Sequence, residues 1–122
     1  MSKVCSVQEA VAVVRSGDAV ASVGVIGWIT PDALLKGLAE RFRTDAQPRD
    51  CTFYFPCGTG DAMGIRGMDH VAIEGLMKRI VSGSYVNPTD PATSKRPELM
   101  RLIRENRIEA SSWPIGASMH WL

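Results

Sequence analysis

Apolar and polar positions change period several times along this chain, and each change marks an element. Val7, Ala10, Val11 and Val14 recur at three- and four-residue intervals, the stripe of an amphipathic helix. Ser6 precedes that stripe and Glu9 follows three residues later, the spacing at which the two residues satisfy each other's free backbone amides. Ser16-Gly17-Asp18 is expected to close the helix. Residues 19–23 are apolar almost throughout, which predicts a short strand covered on both faces. Thr30-Pro31-Asp32 then reads as a helix start, with Thr30 as N-cap, Pro31 at the first helical position and Asp32 at the positive end of the dipole. Leu34, Leu35, Leu38 and Phe42 give that helix its apolar face. Gln47 to Asp50 form a turn, and residues 51–56 form an aromatic-rich strand stopped by Pro56. A helical turn over 68–75, a strand over 76–81, a helix over 94–106 carrying Leu99, Leu102 and Ile103, and a strand over 108–111 complete the pattern.

Strands alternating with helical segments predict an α/β domain, a mostly parallel open sheet with flanking helices. In such a sheet the loops leaving the strands gather at one edge, where ligands bind. Two glycine-containing loops fall there: 24–29, with Gly24 and Gly27, and 57–67, with Gly58, Gly60, Gly64 and Gly67.

The chain has 122 residues, room for one domain. At 45% hydrophobic and 22% charged it is neither a disordered tail nor a fibrous repeat. Fourteen basic against thirteen acidic residues leave a net charge of +1, without the basic excess of a nucleic-acid binder. No apolar run is long enough to span a membrane. Cys5, Cys51 and Cys57 are odd in number and irregular in spacing, so a disulfide framework or a structural metal site is not expected. Reduced thiols suggest a cytoplasmic protein. The apolar stretch Ile115, Met119, Trp121 and Leu122 suggests a truncated chain, or one half of a larger assembly.

The loop before the helix at Asp32 offers free amides suited to a phosphate, carboxylate or oxyanion, or it is simply a tight strand-to-helix turn. It lacks the third glycine of a dinucleotide-binding fingerprint and the GK[ST] of a P-loop. The second loop carries Asp61 and Arg66, and reads as a ligand lining or a solvated loop. Cys57 stands at a strand end with His70 and His120 as conceivable bases, but a buried, inert thiol is the simpler reading. His70 and Glu74 share an i, i+4 spacing that fits packing better than metal binding, since no further ligands cluster with them. Lys95, Arg96, Arg101, Arg104 and Arg107 alternate with Glu98 and Glu105 and read as a solvated face.

Several stretches taken together resemble the class I coenzyme A transferases, in their amino-terminal, alpha-type half of the acetate/3-ketoacid or propionate type. They are Ser6 to Val11, Gly17-Asp18-Ala19-Val20, Ser22 to Gly27 running to Pro31-Asp32-Ala33-Leu34-Leu35, and Pro48-Arg49-Asp50-Cys51-Thr52. Gly58-Thr59-Gly60-Asp61, Arg66 to His70, Glu74 to Arg79, Asn106 to Ala110, and Pro114-Ile115-Gly116 with His120 follow in family order. The resemblance implies a NagB/RpiA/CoA-transferase-like fold, with residues 1–122 as the amino-terminal part of an incomplete alpha-type domain. It implies transfer of coenzyme A between an acyl-CoA and a short carboxylic acid, with the CoA thioester as substrate and no permanently bound cofactor or metal. It implies a beta-type half or subunit as partner, bringing the nucleophilic glutamate, and a homo-oligomer, so that the chain alone is expected to be inactive. Carried over position by position, Val23, Gly24 and Val25 are the oxyanion-loop candidates, and Gly58, Gly60 and Asp61 line the second wall. Val23 and Val25 stand where the family has a glycine and a phenylalanine, and Ile29 replaces a further glycine. Two other functions are compatible with the same elements: a non-catalytic acyl-CoA-binding or assembly module, and a sugar-phosphate isomerase-like enzyme holding phosphate at 24–30.

Overall fold

In the computed structural model the described residues are 4–25, 27–60, 67–85 and 97–118. They form α1 (Val7–Val11), β1 (Ala19–Ala21), α2 (Asp32–Asp45), β2 (Cys51–Phe55), a 3₁₀ helix (Gly67–Val71), β3 (Met77–Ser82), α3 (Glu98–Arg104), β4 (Glu109–Ser112) and α4 (Ile115–Ser118). The strands make one parallel sheet in the order β1-β2-β3-β4. Each connection is therefore a crossover, and every strand ends at the same edge. The alternating pattern of the sequence and the α/β architecture agree. No helix among the described residues is long and apolar enough to cross a membrane.

Burial follows position in the sheet. On β2, Cys51, Phe53 and Phe55 are buried while Thr52 and Tyr54 are half-buried. The Phe53 and Phe55 rings lie stacked with centroids 6.3 Å apart. They join Leu38, Met68, Leu76, Ile80, Leu99 and Leu102 in one core. β1 differs from expectation: it spans three residues, with Ala19 and Ala21 exposed and only Val20 half-buried. Among the described residues it pairs with β2 alone and lies at an edge of the sheet, so its apolar run reflects small residues at a margin and not cover on both faces.

Three helix ends depart from local sequence rules because partners distant in the chain set them. The Ser6–Glu9 capping box forms as expected. The helix nevertheless stops at Val11, well before Gly17, where Arg41 Nη1 of α2 donates to the carbonyls of Val11 (2.7 Å) and Val14 (2.8 Å). Pro31, not Thr30, is the N-cap of α2 and makes no side-chain cap. α3 begins at Glu98 behind Pro97, also without a local cap. Its free amides are taken by Asp69 of the 3₁₀ helix, whose Oδ1 accepts from Leu99 N at 2.9 Å and Oδ2 from Glu98 N at 3.3 Å. The basic residues of α3 are solvated as expected: Arg101 pairs with Glu98 and Glu105, and Arg107 pairs with Glu74.

Asp69 is buried, and desolvation raises its carboxyl pKa above the ordinary value despite the two amides that oppose the shift. A carboxyl that binds its proton more tightly when folded adds stability at low pH. That contribution declines as pH rises from about 4, the unfolded value, through the raised folded one. Asp69→Asn keeps a carbonyl acceptor for α3 and cannot ionise. It is expected to flatten the loss of stability on the acid side of neutrality. Asp69→Ala removes both acceptors and is expected to cost about 1–2 kcal/mol at neutral pH. Urea melts of both variants at stepped pH check these expectations.

Candidate functional site

The loops leaving β1, β2 and β3 meet at the carboxyl edge of the sheet. Ser22 extends the β1–β2 pairing by one residue, its amide donating to Tyr54 O at 2.9 Å. The chain then turns through Gly24 at φ +137°, where a Cβ would lie 2.7 Å from Thr30 Oγ1 and 3.1 Å from Thr59 Cγ2. Gly24 is thus where the first loop touches both the approach to α2 and the second loop. Beyond it, Val25 and Trp28 exchange backbone hydrogen bonds of 3.1 and 2.9 Å. The Val25 amide is therefore engaged. Those of Val23 and Gly24 have no hydrogen-bond partner among the described residues. Val23, Val25, Trp28 and Ile29 are exposed, a cluster of apolar side chains at the rim.

Ile29 has φ +56°, left-handed backbone that a β-branched side chain disfavours. It is 86% exposed, so its side chain returns little packing. Ile29→Gly is expected to stabilise the chain by about 0.5–1 kcal/mol, as relief of strain outweighs the added freedom of the unfolded chain. A rise in melting midpoint of a few degrees is the check; a fall would mean that Ile29 contributes contacts the strain argument omits.

The second loop is packed tightly at both its described ends. A Cβ on Gly58 would lie 3.0 Å from Ser84 O, in the loop after β3. Gly60 has φ +152°. Between them Thr59 is fully buried, and its Oγ1 has no hydrogen-bond partner among the described residues. At the far end Met68 N donates to Thr59 O at 3.2 Å, and Gly67 lies against the Thr59 backbone. Gly67 N donates to Asp32 Oδ1 at 2.8 Å, and the same oxygen lies 3.2 Å from His70 Nε2. Behind the rim Tyr85 Oη accepts from Ser82 N at 3.1 Å and lies within hydrogen-bond reach of the Ile80 and Ser111 carbonyls, tying β3 to β4. Burial raises the Tyr85 pKa, so the phenol stays protonated at neutral pH.

Four of the site residues expected from sequence, Val23, Gly24, Gly58 and Gly60, thus gather at one rim around Thr59. Val25 sits in the hairpin. Asp61, Arg66 and His120 lie outside the described residues. Cys57 is half-buried, not fully buried, and makes no hydrogen bond among the described residues. The thiol whose pKa burial raises is Cys51, inside the sheet. His70 and Glu74 do not share a helix: His70 faces Asp32, and Glu74 pairs with Arg107 near the opposite edge of the sheet. No cluster of three or more metal-ligating side chains occurs among the described residues. The burial of Thr59 and the meeting of Asp32 with His70 emerge only in three dimensions. The one local hint was a threonine flanked by two glycines.

No protein-family model matches the chain. Among curated proteins it is similar to acetate CoA-transferase YdiF of Escherichia coli strain K12, 29% identical over 114 residues. The YdiF of E. coli O157:H7 matches equally. Among solved structures it resembles the O157:H7 acyl-CoA transferase YdiF in a thioester complex with CoA, with a TM-score of 0.80 and 26% identity over 92% of this chain. The YdiF apoenzyme superposes with the same TM-score at 28% identity. The match covers 93% of this chain but 20% of the length of the curated relatives, so the chain spans about a fifth of them. The chain is homologous to that class I CoA transferase and shares its α/β fold over this length.

Proposed function

We propose, starting from this homology to class I CoA transferases, that the chain supplies the thioester-binding rim of an enzyme moving coenzyme A between an acyl-CoA and a carboxylic acid. The observation that carries the reading is the pair of uncommitted amides at Val23 and Gly24, next to the glycine-flanked Thr59 at the ligand edge. When a carboxylate oxygen bonds to a thioester carbonyl carbon, the carbonyl oxygen takes up negative charge. The C–S bond then breaks and CoA leaves as a thiolate, giving an acyl anhydride. Preorganised backbone donors aimed at that oxygen stabilise the transition state more than the ground state. Val25 contributes by holding the hairpin, since its own amide is engaged. Gly58 and Gly60 form the described part of the second wall, to which the resemblance alone adds Asp61.

The nucleophile belongs to polypeptide outside this chain. Its six glutamates lie on the surface away from the rim: Glu9 in the α1 cap, Glu40 beside Lys36, Glu74 with Arg107, Glu98 and Glu105 with Arg101, and Glu109 near Arg79. None stands in the two glycine loops. On this reading residues 1–122 form the amino-terminal part of an alpha-type domain, and a beta-type half brings the glutamate.

A phosphate-binding isomerase fits less well. The Asp32 carboxylate already sits at the positive end of α2, where a phosphate would have to go, and the neighbouring surface is apolar. Mixing the chain with acetyl-CoA and a labelled short carboxylate tests the reading. The chain alone is expected to bind the thioester without exchange, and exchange is expected once a glutamate-bearing beta-type half is added. Turnover by the chain alone would overturn the assignment of the nucleophile. Binding without exchange in the presence of that half would point to a non-catalytic acyl-CoA module.

A further inference from the structure

We infer that Asp32 and His70 form a positioning pair that fixes the two glycine loops at their working separation, a role that rests on the acyl-CoA reading above. Asp32 is the first residue of α2, directly behind the first loop, and His70 lies in the 3₁₀ helix directly behind the second. A single oxygen, Asp32 Oδ1, accepts the Gly67 amide at 2.8 Å and faces His70 Nε2 at 3.2 Å. Gly67 in turn rests on the Thr59 backbone, and Thr59 Cγ2 closes against Gly24. The path Asp32–Gly67–Thr59–Gly24 therefore runs from the pair to the proposed oxyanion amides without a gap.

Burial separates this arrangement from an ordinary helix-dipole partner. An acidic residue in a first helical turn needs no imidazole opposite it. Here the His70 side chain is only 16% exposed, and its Nε2 is buried. That nitrogen is close to the carboxylate but is not aligned with it as a formed hydrogen bond, and no other described group serves it. A buried polar atom with no hydrogen bond among the described residues, facing one carboxylate oxygen at 3.2 Å, couples the location of that carboxylate to the 3₁₀ helix. Neither residue stands in the glycine loops; both act through Gly67.

The test is a double-mutant cycle with two readouts. Asp32→Asn keeps an acceptor for Gly67 N and removes the charge facing His70. His70→Gln keeps a polar group of similar reach. Each single variant is expected to shift or broaden the amide resonances of Gly24, Gly58 and Gly60 while leaving those of β4 in place. Each is also expected to weaken acetyl-CoA binding at least fivefold, with the double variant no weaker than the worse single. Leu102→Val, a core change remote from the rim, supplies a variant of matched melting temperature. The inference is overturned if the rim amides stay put in either single variant, or if the affinity loss equals that of the matched core variant. Should the unmodified chain bind no acetyl-CoA, the proposed function falls, and the resonance shifts alone decide whether the pair positions the loops.

Discussion

Gly67→Ala is expected to cost at least about 3 kcal/mol and to abolish the ordered packing of the second loop, the largest stability loss of any single methyl addition considered at the rim. Two effects add. The backbone at Gly67 has φ +69°, which penalises any side chain. A Cβ built there would also lie 2.4 Å from Thr59 O, 2.5 Å from Thr59 C and 2.7 Å from Gly60 N. These are backbone atoms of two adjacent buried residues, so no rotamer change relieves the clash, and the loop must move as a unit. That movement breaks the Met68 N to Thr59 O hydrogen bond and pulls Gly67 N from Asp32. The measurement is a denaturant melt with near-ultraviolet dichroism. A Gly67→Ala chain within 1 kcal/mol of the unmodified one would show that the loop has room it does not have here. Gly116, where a Cβ would meet nothing within 4 Å, is the matched control and is expected to tolerate alanine.

Why the clash at Gly67 had to be found in three dimensions says how far sequence reasoning reaches in this chain. Elements set by neighbours in sequence were legible: the capping box at Ser6 and Glu9, the aromatic strand at 51–55, and the Leu35, Leu38 and Phe42 part of the α2 stripe, whereas Leu34, expected on the same face, lies at its margin and is exposed. Parallel topology followed from their alternation, and so did the edge at which Gly24 and Gly58 meet. What was not legible is fixed by residues some thirty positions apart. Arg41 ends α1, Asp69 caps α3, and Asp32 gathers Gly67 and His70. Local rules misassigned the cap of α2 by one residue: the boundary falls at Pro31, which has no side chain that could cap it. They misjudged β1 because a run of small apolar residues reads alike in the centre of a sheet and at its margin. The resemblance to CoA transferases pointed to the same two loops. It could not indicate that the Val25 amide is committed to Trp28, which needs the hairpin geometry.

Gly24→Ala is expected to separate function from folding, and so carries the largest expected effect on ligand binding: a loss of about 10-fold in affinity for an acyl-CoA thioester, the ground-state share of two backbone hydrogen bonds, against a stability cost of about 1–3 kcal/mol. The asymmetry comes from what a Cβ would meet. Its nearest atoms are the Thr30 Oγ1 at 2.7 Å and the Thr59 Cγ2 at 3.1 Å, both side chains, so part of the clash can be relieved by local rotation. The Thr30 Cα at 3.2 Å and the φ of +137° cannot be relieved that way. The turn therefore shifts, and the Val23 and Gly24 amides shift with it. A displacement on the order of 1 Å is enough to forfeit most of what oriented donors contribute. Removing the nearest obstacle tests this division: Gly24→Ala with Thr30→Ala is expected to recover part of the melting temperature but little of the affinity, because the backbone angle is still wrong for alanine. Calorimetric titration with acetyl-CoA and a thermal melt of the unmodified chain and both variants give both quantities. If affinity returns together with stability in the double variant, the two amides are not the donors, and the thioester oxygen is held elsewhere on the rim.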